Sequence, residues 1–318
     1  MDHTTLGRTG LKVSVAGLGC GGHSRLGMSY GRSEAEAAAV VRRAVELGVN
    51  FIDTAETYGT EPAVGMAIRD LDRDGLVIST KKSIKRKGER LGPEAMIRGL
   101  EGSLERLGTD HVDVYHLHAL YPEDRDYAVS EIVPALEKAR EAGKIRNIGV
   151  TEMFGRDCGH EMFRLAAADA CWDVFMVGFN ILNQSARERV FSAPGGSVEK
   201  DVGVLIMFAL RKALSKPERL VETVSGLVDE GLIDADDLDP GDPLGWVVHP
   251  DDGGAHSVQD AGYRFCRHEP GVHVVLTGTG SAEHLEENVA SILRPPLPER
   301  DVQRLREVFC RVDCIAGN

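Results

Sequence analysis

Apolar residues recur along this chain in two alternating rhythms. Short unbroken apolar stretches alternate with longer segments in which apolar residues return every three to four positions. The first rhythm reads as strands buried on both faces, the second as helices with one buried face. Strands are predicted at 15–18, 49–53, 76–80, 112–118, 145–150, 174–179, 203–208 and 272–276. Helices are predicted from the Ser33-x-x-Glu36 capping box to Gly48, then over 62–69, 93–107, 130–142, 159–168, 217–228 behind Ser215-x-x-Glu218, 282–292 and finally 298–312. Strict alternation implies a parallel sheet, and eight strands in 318 residues fit a closed (β/α)8 TIM barrel, an α/β fold read as one domain over 1–318. A short β-hairpin is predicted over 4–13, around Gly7-Arg8-Thr9-Gly10. One stretch breaks the rhythm: a long acidic loop before the eighth strand, where 229–252 holds nine acids and no Lys or Arg. Trp246 in it belongs either to a lid over a ligand or to a solvated excursion with one anchoring ring.

The net charge of -13 argues against nucleic acid, whose binders concentrate Lys and Arg, and points to a small-molecule partner. The longest apolar run, 204–210, is too short to span a bilayer, and Met1-Asp2-His3-Thr4-Thr5 does not open an export signal. Six scattered cysteines without paired spacing suit reduced thiols, so a cytoplasmic protein is expected. Cys310 and Cys314 lack further ligands at metal-site spacing, and no metal is expected. The sequence leaves the oligomeric state open.

Gly17-Leu18-Gly19-Cys20-Gly21-Gly22 satisfies the dinucleotide fingerprint letter by letter, but no helix opens on its last glycine, so it reads as a loop that approaches a ligand closely. The chemistry is expected at the carboxyl ends of the strands. Alternation puts Asp53 at the last inward position of the second strand, with Tyr58 in the loop beyond it. The third strand turns Lys81 inward rather than Lys82, and the fourth aligns His116 with His118, the latter nearer the mouth. Taken singly these are a strand-end acid, a paired lysine and a satisfied histidine. Together they form a site: Asp53 pairs the buried Lys81, the ammonium favours the phenolate of Tyr58, and His118 orients a substrate oxygen.

Leu6-Gly7-Arg8-Thr9-Gly10-Leu11-Lys12-Val13-Ser14, Phe51-Ile52-Asp53-Thr54-Ala55-Glu56-Thr57-Tyr58-Gly59, Gly143-Lys144-Ile145-Arg146-Asn147-Ile148-Gly149-Val150 and His284-Leu285-Glu286-Glu287-Asn288 make the chain resemble the aldo-keto reductases over almost its whole length. The resemblance implies a (β/α)8 barrel with a catalytic tetrad of Asp53, Tyr58, Lys81 and His118. It also implies hydride transfer between NADP or NAD and an aldehyde, ketone or sugar, or the reverse oxidation of an alcohol. The nucleotide is expected across the barrel mouth, with Gly278, Thr279 and Gly280 leading into a helix and Glu287 and Asn288 at the adenine. Many NADPH-preferring members carry a basic residue where Gly278 and His284 stand here. At the nicotinamide, Thr151-Glu152 replaces the usual Ser-Asn, Met176 the usual Gln, and Met207 the usual aromatic, while Phe208 is expected to face away. A nucleotide-binding regulatory barrel, or a lyase or isomerase using the same tyrosine and lysine, stands as the alternative.

Overall fold

Strands that are apolar on both faces need cover on both, and this chain provides it by closing the sheet on itself. The computed structural model describes residues 1–317 and contains eight parallel strands: β1 (Ala16–Gly19), β2 (Phe51–Asp53), β3 (Val77–Lys82), β4 (Val112–Leu120), β5 (Ile145–Glu152), β6 (Val174–Gly178), β7 (Gly203–Met207) and β8 (Val274–Thr277). They follow one another around a closed barrel, β8 pairing back onto β1. Helices α1 (Glu34–Glu46), α2 (Glu61–Ile68), α3 (Pro93–Leu107), α4 (Val133–Glu141), α5 (Glu161–Ala166), α6 (Pro217–Asp229), α7 (Val258–Arg267), α8 (Ala282–Leu293) and α9 (Glu299–Phe309) accompany it. The predicted architecture is the observed one.

Apolar residues form two bodies. One lies between barrel and helices, and the other fills the barrel, where Phe51, Val77, Val114, Val174, Leu205 and Val274 meet. Leu6 and Val13 join this inner body from the amino-terminal hairpin, His3–Thr5 paired with Lys12–Ser14. With the amino-terminal end filled, the buried Asp53 and Lys81 of the barrel stand toward the carboxyl end.

Several elements depart from expectation for local reasons. The Ser33–Glu36 capping box forms, with both reciprocal bonds present. Ser215, by contrast, caps nothing: it ends a separate turn, Lys212–Ser215, and donates to the Lys212 carbonyl, while α6 opens on Pro217, whose fixed φ starts a helix without a donor. The predicted helix 130–142 starts as a wide turn, Ala128–Ile132, that runs straight into α4. Helix α7 was not anticipated at all. It is buried along Asp260–Cys266, polar face included, and on that face the Arg264 guanidinium donates to the carbonyls of Gly253, Gly254, Pro295 and Pro296. In the acidic loop, Trp246 donates to the Pro243 carbonyl and lies under the Arg304 guanidinium of α9, 4.3 Å from its ring centre. It is the anchoring ring and not a lid.

At the amino-terminal end the staggered strands leave backbone N–H groups without a strand partner, and side chains take their place. Asp113 of β4 is buried and accepts from the Ile78 N–H at 2.8 Å, from Arg73 at 2.8 Å and from Arg146 at 2.9 Å. Asp173 does the same for the Ile148 N–H two strands on. Asp113→Ala leaves the buried Ile78 N–H without an acceptor and should destabilise the chain by about 1–3 kcal/mol, with Asp113→Asn milder. Urea unfolding midpoints test this, and an unchanged midpoint for the alanine variant would remove Asp113 from the account.

Candidate active site

The register of the barrel builds the site from its neighbours outward. Asp53 sits opposite Ser79 and Gly19, and Lys81 opposite His116. The Lys81 ammonium, fully buried, donates to Asp53 Oδ2 at 2.6 Å and to the Thr54 carbonyl at 2.7 Å, while Ser79 Oγ donates to Asp53 Oδ1 at 2.9 Å. Burial opposes the charge on Lys81, but Asp53 and Tyr58 more than compensate and hold the amine above its ordinary lysine value. Burial likewise raises the Asp53 carboxyl against the pull of Lys81 and Ser79. Lys82 points away and pairs with Glu56.

Tyr58 is carried by a single tight turn, Glu56–Tyr58, which ends on Gly59 in the left-handed conformation. Its ring is fixed on three sides. Lys81 Nζ lies 4.8 Å from the ring centre, the His118 ring meets it edge-on at 5.5 Å, and Gly21 lies against it so closely that any side chain there would strike the ring. This is the close approach that the glycine-rich loop serves. After it the chain makes an irregular turn, Arg25–Tyr30, and α1 begins well beyond it, so the glycines do not open a helix.

His118 Nε2 stands 3.4 Å from the Tyr58 hydroxyl. Burial, helped by Lys81, pushes its pKa down to about 3, so the ring is neutral. His116 below it is wholly buried with neither ring nitrogen bonded, packs against Gly149, and is lowered by the same causes. The strand is irregular just past His118: Ala119 has φ 56°, and its N–H donates to Thr151 Oγ1 at 2.7 Å.

A cleft of about 1070 Å³ runs from Asp53 and Tyr58 along β7 and β8 to Asn288 on α8 and Arg294 just beyond it. Of the residues expected at a nucleotide, Met176, Met207, Gly278, Thr279, His284, Glu287 and Asn288 line it. Thr151 and Gly280 do not. Thr151 is buried and its hydroxyl serves Ala119, while Gly280 faces Gly27 and its carbonyl accepts from Arg32. Glu152 is also turned into the wall, bonded to the Gly178 N–H at 2.8 Å and to His160 Nδ1 at 2.9 Å. Asn288 donates to Thr277 Oγ1, which also bonds the Tyr263 hydroxyl.

Another expectation is overturned. Phe208 lines the cleft, because β7 stops at Met207 and Phe208 takes φ 67°, which ends the alternation that would have turned it away. Phe154 meets its ring edge-on at 5.5 Å, and the Arg211 guanidinium lies 3.6 Å from its centre. Arg211 and Lys212 are cleft residues that the sequence reading missed. The carboxyl-terminal tail braces this segment from behind, through Asn180 Nδ2 shared by the Phe208 and Ala316 carbonyls and the Ala213 N–H bonded to the Gly317 carbonyl.

Residues 18–214 match the model of the Aldo/keto reductase family. The chain belongs to the aldo/keto reductase family. Among curated relatives, an L-galactose dehydrogenase of Arabidopsis thaliana is 40% identical over 152 residues, covering 46% of this chain and 47% of that protein. The aldo-keto reductase YhdN of Bacillus subtilis is 34% identical over 162 residues, covering 48% and 47%. The matched part thus spans about half the length of these two relatives. The uncharacterized oxidoreductase YqkF of Bacillus subtilis matches over 96% of both chains at 25% identity. The holo form of aldo-keto reductase AKR11C1 from Bacillus halodurans superposes with a TM-score of 0.72 over 97% of this chain and 96% of that one, at 22% identity, which shows a shared fold.

His116 and His118 give this aldo/keto reductase a definite response to acid. Each ring stays neutral when folded, whereas the unfolded chain takes up a proton below about pH 6.5, so stability falls as pH drops through that value. Each should contribute a loss of about 1.4 kcal/mol per pH unit below it. His116→Leu should flatten the fall in unfolding free energy between pH 6 and pH 4 by one such increment. An unaltered slope would mean that His116 takes up a proton in the folded chain.

Proposed function

We propose that this chain is an NAD(P)-dependent oxidoreductase that interconverts a carbonyl and an alcohol on a small molecule, with Tyr58 as the proton donor in reduction and acceptor in oxidation. The observation that carries the reading is the convergence, at one end of the long cleft, of a buried Lys81–Asp53 pair, the Tyr58 hydroxyl and a neutral His118. Fold likeness alone would not support it. The 40% match to an L-galactose dehydrogenase over part of its length favours a sugar hydroxyl or aldose as substrate. Six free cysteines are consistent with a reducing, cytoplasmic setting.

The cleft suits an extended dinucleotide. Arg211 and Lys212 offer positive charge for the diphosphate, Met176, Met207 and Phe208 offer an apolar wall for the nicotinamide, and Glu287 and Asn288 stand at the adenosine end. When bound, the nicotinamide supplies or accepts a hydride. The chain's own residues do the rest. Tyr58 and His118, 3.4 Å apart, bracket the position of a substrate oxygen, which the neutral imidazole orients while Tyr58 gives or takes its proton. Lys81, charged and 4.8 Å from the ring centre, stabilises the negative charge that develops on the phenolic oxygen. Asp53, Ser79 and the Thr54 carbonyl keep the ammonium in place.

Tyr58→Phe should lower kcat by roughly 10²–10⁴-fold and leave nucleotide binding nearly unchanged, because it removes a transferable proton and little surface. Turnover of the variant at the wild-type rate would sink the assignment. Lys81→Met should be as inactive and also less stable by about 3–5 kcal/mol, since Asp53 is left buried without a partner. Asp53→Asn combined with Lys81→Met should recover much of that stability and none of the activity. Activity returning with stability would show that Lys81 acts only as a structural ion.

A further inference from the structure

Phe208, the aromatic that lines the cleft, is braced from two sides, and each brace carries a cysteine. On one side Phe154 meets its ring edge-on, and the Phe154 carbonyl accepts from the Cys158 thiol at 3.0 Å. On the other, the carboxyl-terminal tail shares the Asn180 amide with the Phe208 carbonyl, takes the Ala213 N–H on the Gly317 carbonyl, and lays that glycine beside the Arg211 side chain. Cys314 stands exposed at the root of this tail.

The two cysteines are far apart in sequence and are brought together by shared donors. Asn183, wholly buried, spends one amide nitrogen on both segments: Nδ2 donates to the Cys158 carbonyl at 3.1 Å and to the Ile315 carbonyl at 2.9 Å. Arg189 repeats the arrangement beside it, with Nη1 on the Gly159 carbonyl at 3.2 Å and Nη2 on Asp313 Oδ2 at 2.6 Å. Residues 158–159 and 313–315 therefore run face to face, and Cys314 lies between the two tail residues that are tied. The thiols also act on each other, since Cys158 is pushed up to about 11 by its partial burial first and by Cys314 next. Slight burial and the nearby Glu230 raise Cys314 as well, so neither is an activated nucleophile, and both stand as free thiols.

We propose that Cys158 and Cys314 are an oxidative modification site, forming a reversible disulfide that straps the tail to the loop before α5 and fixes the Phe208 wall of the cleft. The oxidant is hydrogen peroxide. The exposed Cys314 sulfur attacks one peroxide oxygen, an S–O bond forms as the O–O bond breaks, and the thiol proton leaves with the other oxygen as water. The Cys158 sulfur then attacks Cys314 Sγ, an S–S bond forms as the S–O bond breaks, and the Cys158 proton leaves with that oxygen as a second water. Two thiols give up two electrons and one peroxide takes them. The loop loses only a weak S–H donor to the Phe154 carbonyl.

The purified chain is treated with a slight molar excess of hydrogen peroxide, its remaining thiols are blocked, and it is digested without reduction. The product should be lighter by two hydrogens and yield one peptide joining Cys158 to Cys314. Its thermal midpoint should rise by about 5 °C, because the bond closes a long loop of the unfolded chain, and should fall back with dithiothreitol. Cys158→Ser and Cys314→Ser should each keep the reduced midpoint and lose the response to peroxide, while Cys310→Ser should retain it. On the reading of the cleft as a dinucleotide site, NADH should leave the oxidised chain at least about threefold more slowly, since a fixed wall opens less often. A peptide joining Cys310 to Cys314, or Cys314 carried to its sulfinic acid with Cys158 untouched, would overturn the proposal, as would a bond that leaves the midpoint where it was. Equal NADH dissociation from the two forms would overturn the hold on Phe208. Failure of either form to bind NADH would instead overturn the oxidoreductase reading, with the disulfide judged by mass and melting alone.

Discussion

A lysine and an aspartate buried together at a barrel mouth impose the main constraint on this molecule. Each charge removed from water costs several kcal/mol, and their attraction returns that only if the geometry is good and the remaining hydrogen-bonding positions are filled. Here they are filled. Lys81 has Asp53 and the Thr54 carbonyl, and Asp53 has the Ser79 hydroxyl as its second donor. All of these groups come from β2 and β3 or the first residue beyond, adjacent strands locked in register, so the pair cannot relax without opening the barrel. It is a fixed charge, and fixed charges are what a transition state needs, because no reorganisation is then required at the moment of reaction.

The same placement explains why the neighbouring groups look as they do. A cation held in a poorly solvated site suppresses protonation of any base beside it, and His118 and His116 are both pushed down, by burial first and by Lys81 second. His118 is thereby kept as a neutral hydrogen-bonding ring. The Tyr58 turn, closed by Gly59 and covered by Gly21, brings a loop residue up to the strand residues. Beyond it, Phe208 and Arg211 are held by Phe154 on one side and by the carboxyl-terminal tail on the other.

Most of the barrel was legible in the sequence, since parallel strands buried on both faces leave unbroken apolar runs and their helices leave a periodic stripe. Side-chain parity was enough to turn Lys81 inward and Lys82 outward, because β3 is regular to its end. Parity failed at Phe208 because it holds only while the backbone stays extended, and a residue at φ 67° resets the direction of its side chain. Helix α7 escaped although its apolar stripe of Val258, Ala261, Gly262, Phe265 and Cys266 keeps helical spacing, because it is short and follows directly on the irregular acidic stretch. Its start was nonetheless written in Ser257-x-x-Asp260, where the Ser257 hydroxyl accepts from the Asp260 N–H at 3.1 Å. Arg211 and Lys212 were passed over since nothing in a sequence says which surface cations face a cleft.

Glu152 shows how a residue can be misjudged by its position alone. An acid at the end of β5 looks like a carboxylate offered to the nicotinamide carboxamide, whose N–H it could accept from but whose carbonyl it could not donate to. The structure turns both carboxylate oxygens into the wall, one onto the Gly178 N–H of β6 and the other onto His160. His160 in turn stacks on Phe154 at 5.3 Å, and Phe154 supports Phe208. The acid therefore acts on the cleft through packing. A wholly buried carboxylate with an imidazole partner fixes one face of the aromatic that lines the cleft, so the change from amide to acid moves its role from contacting a ligand to holding the ring beside it.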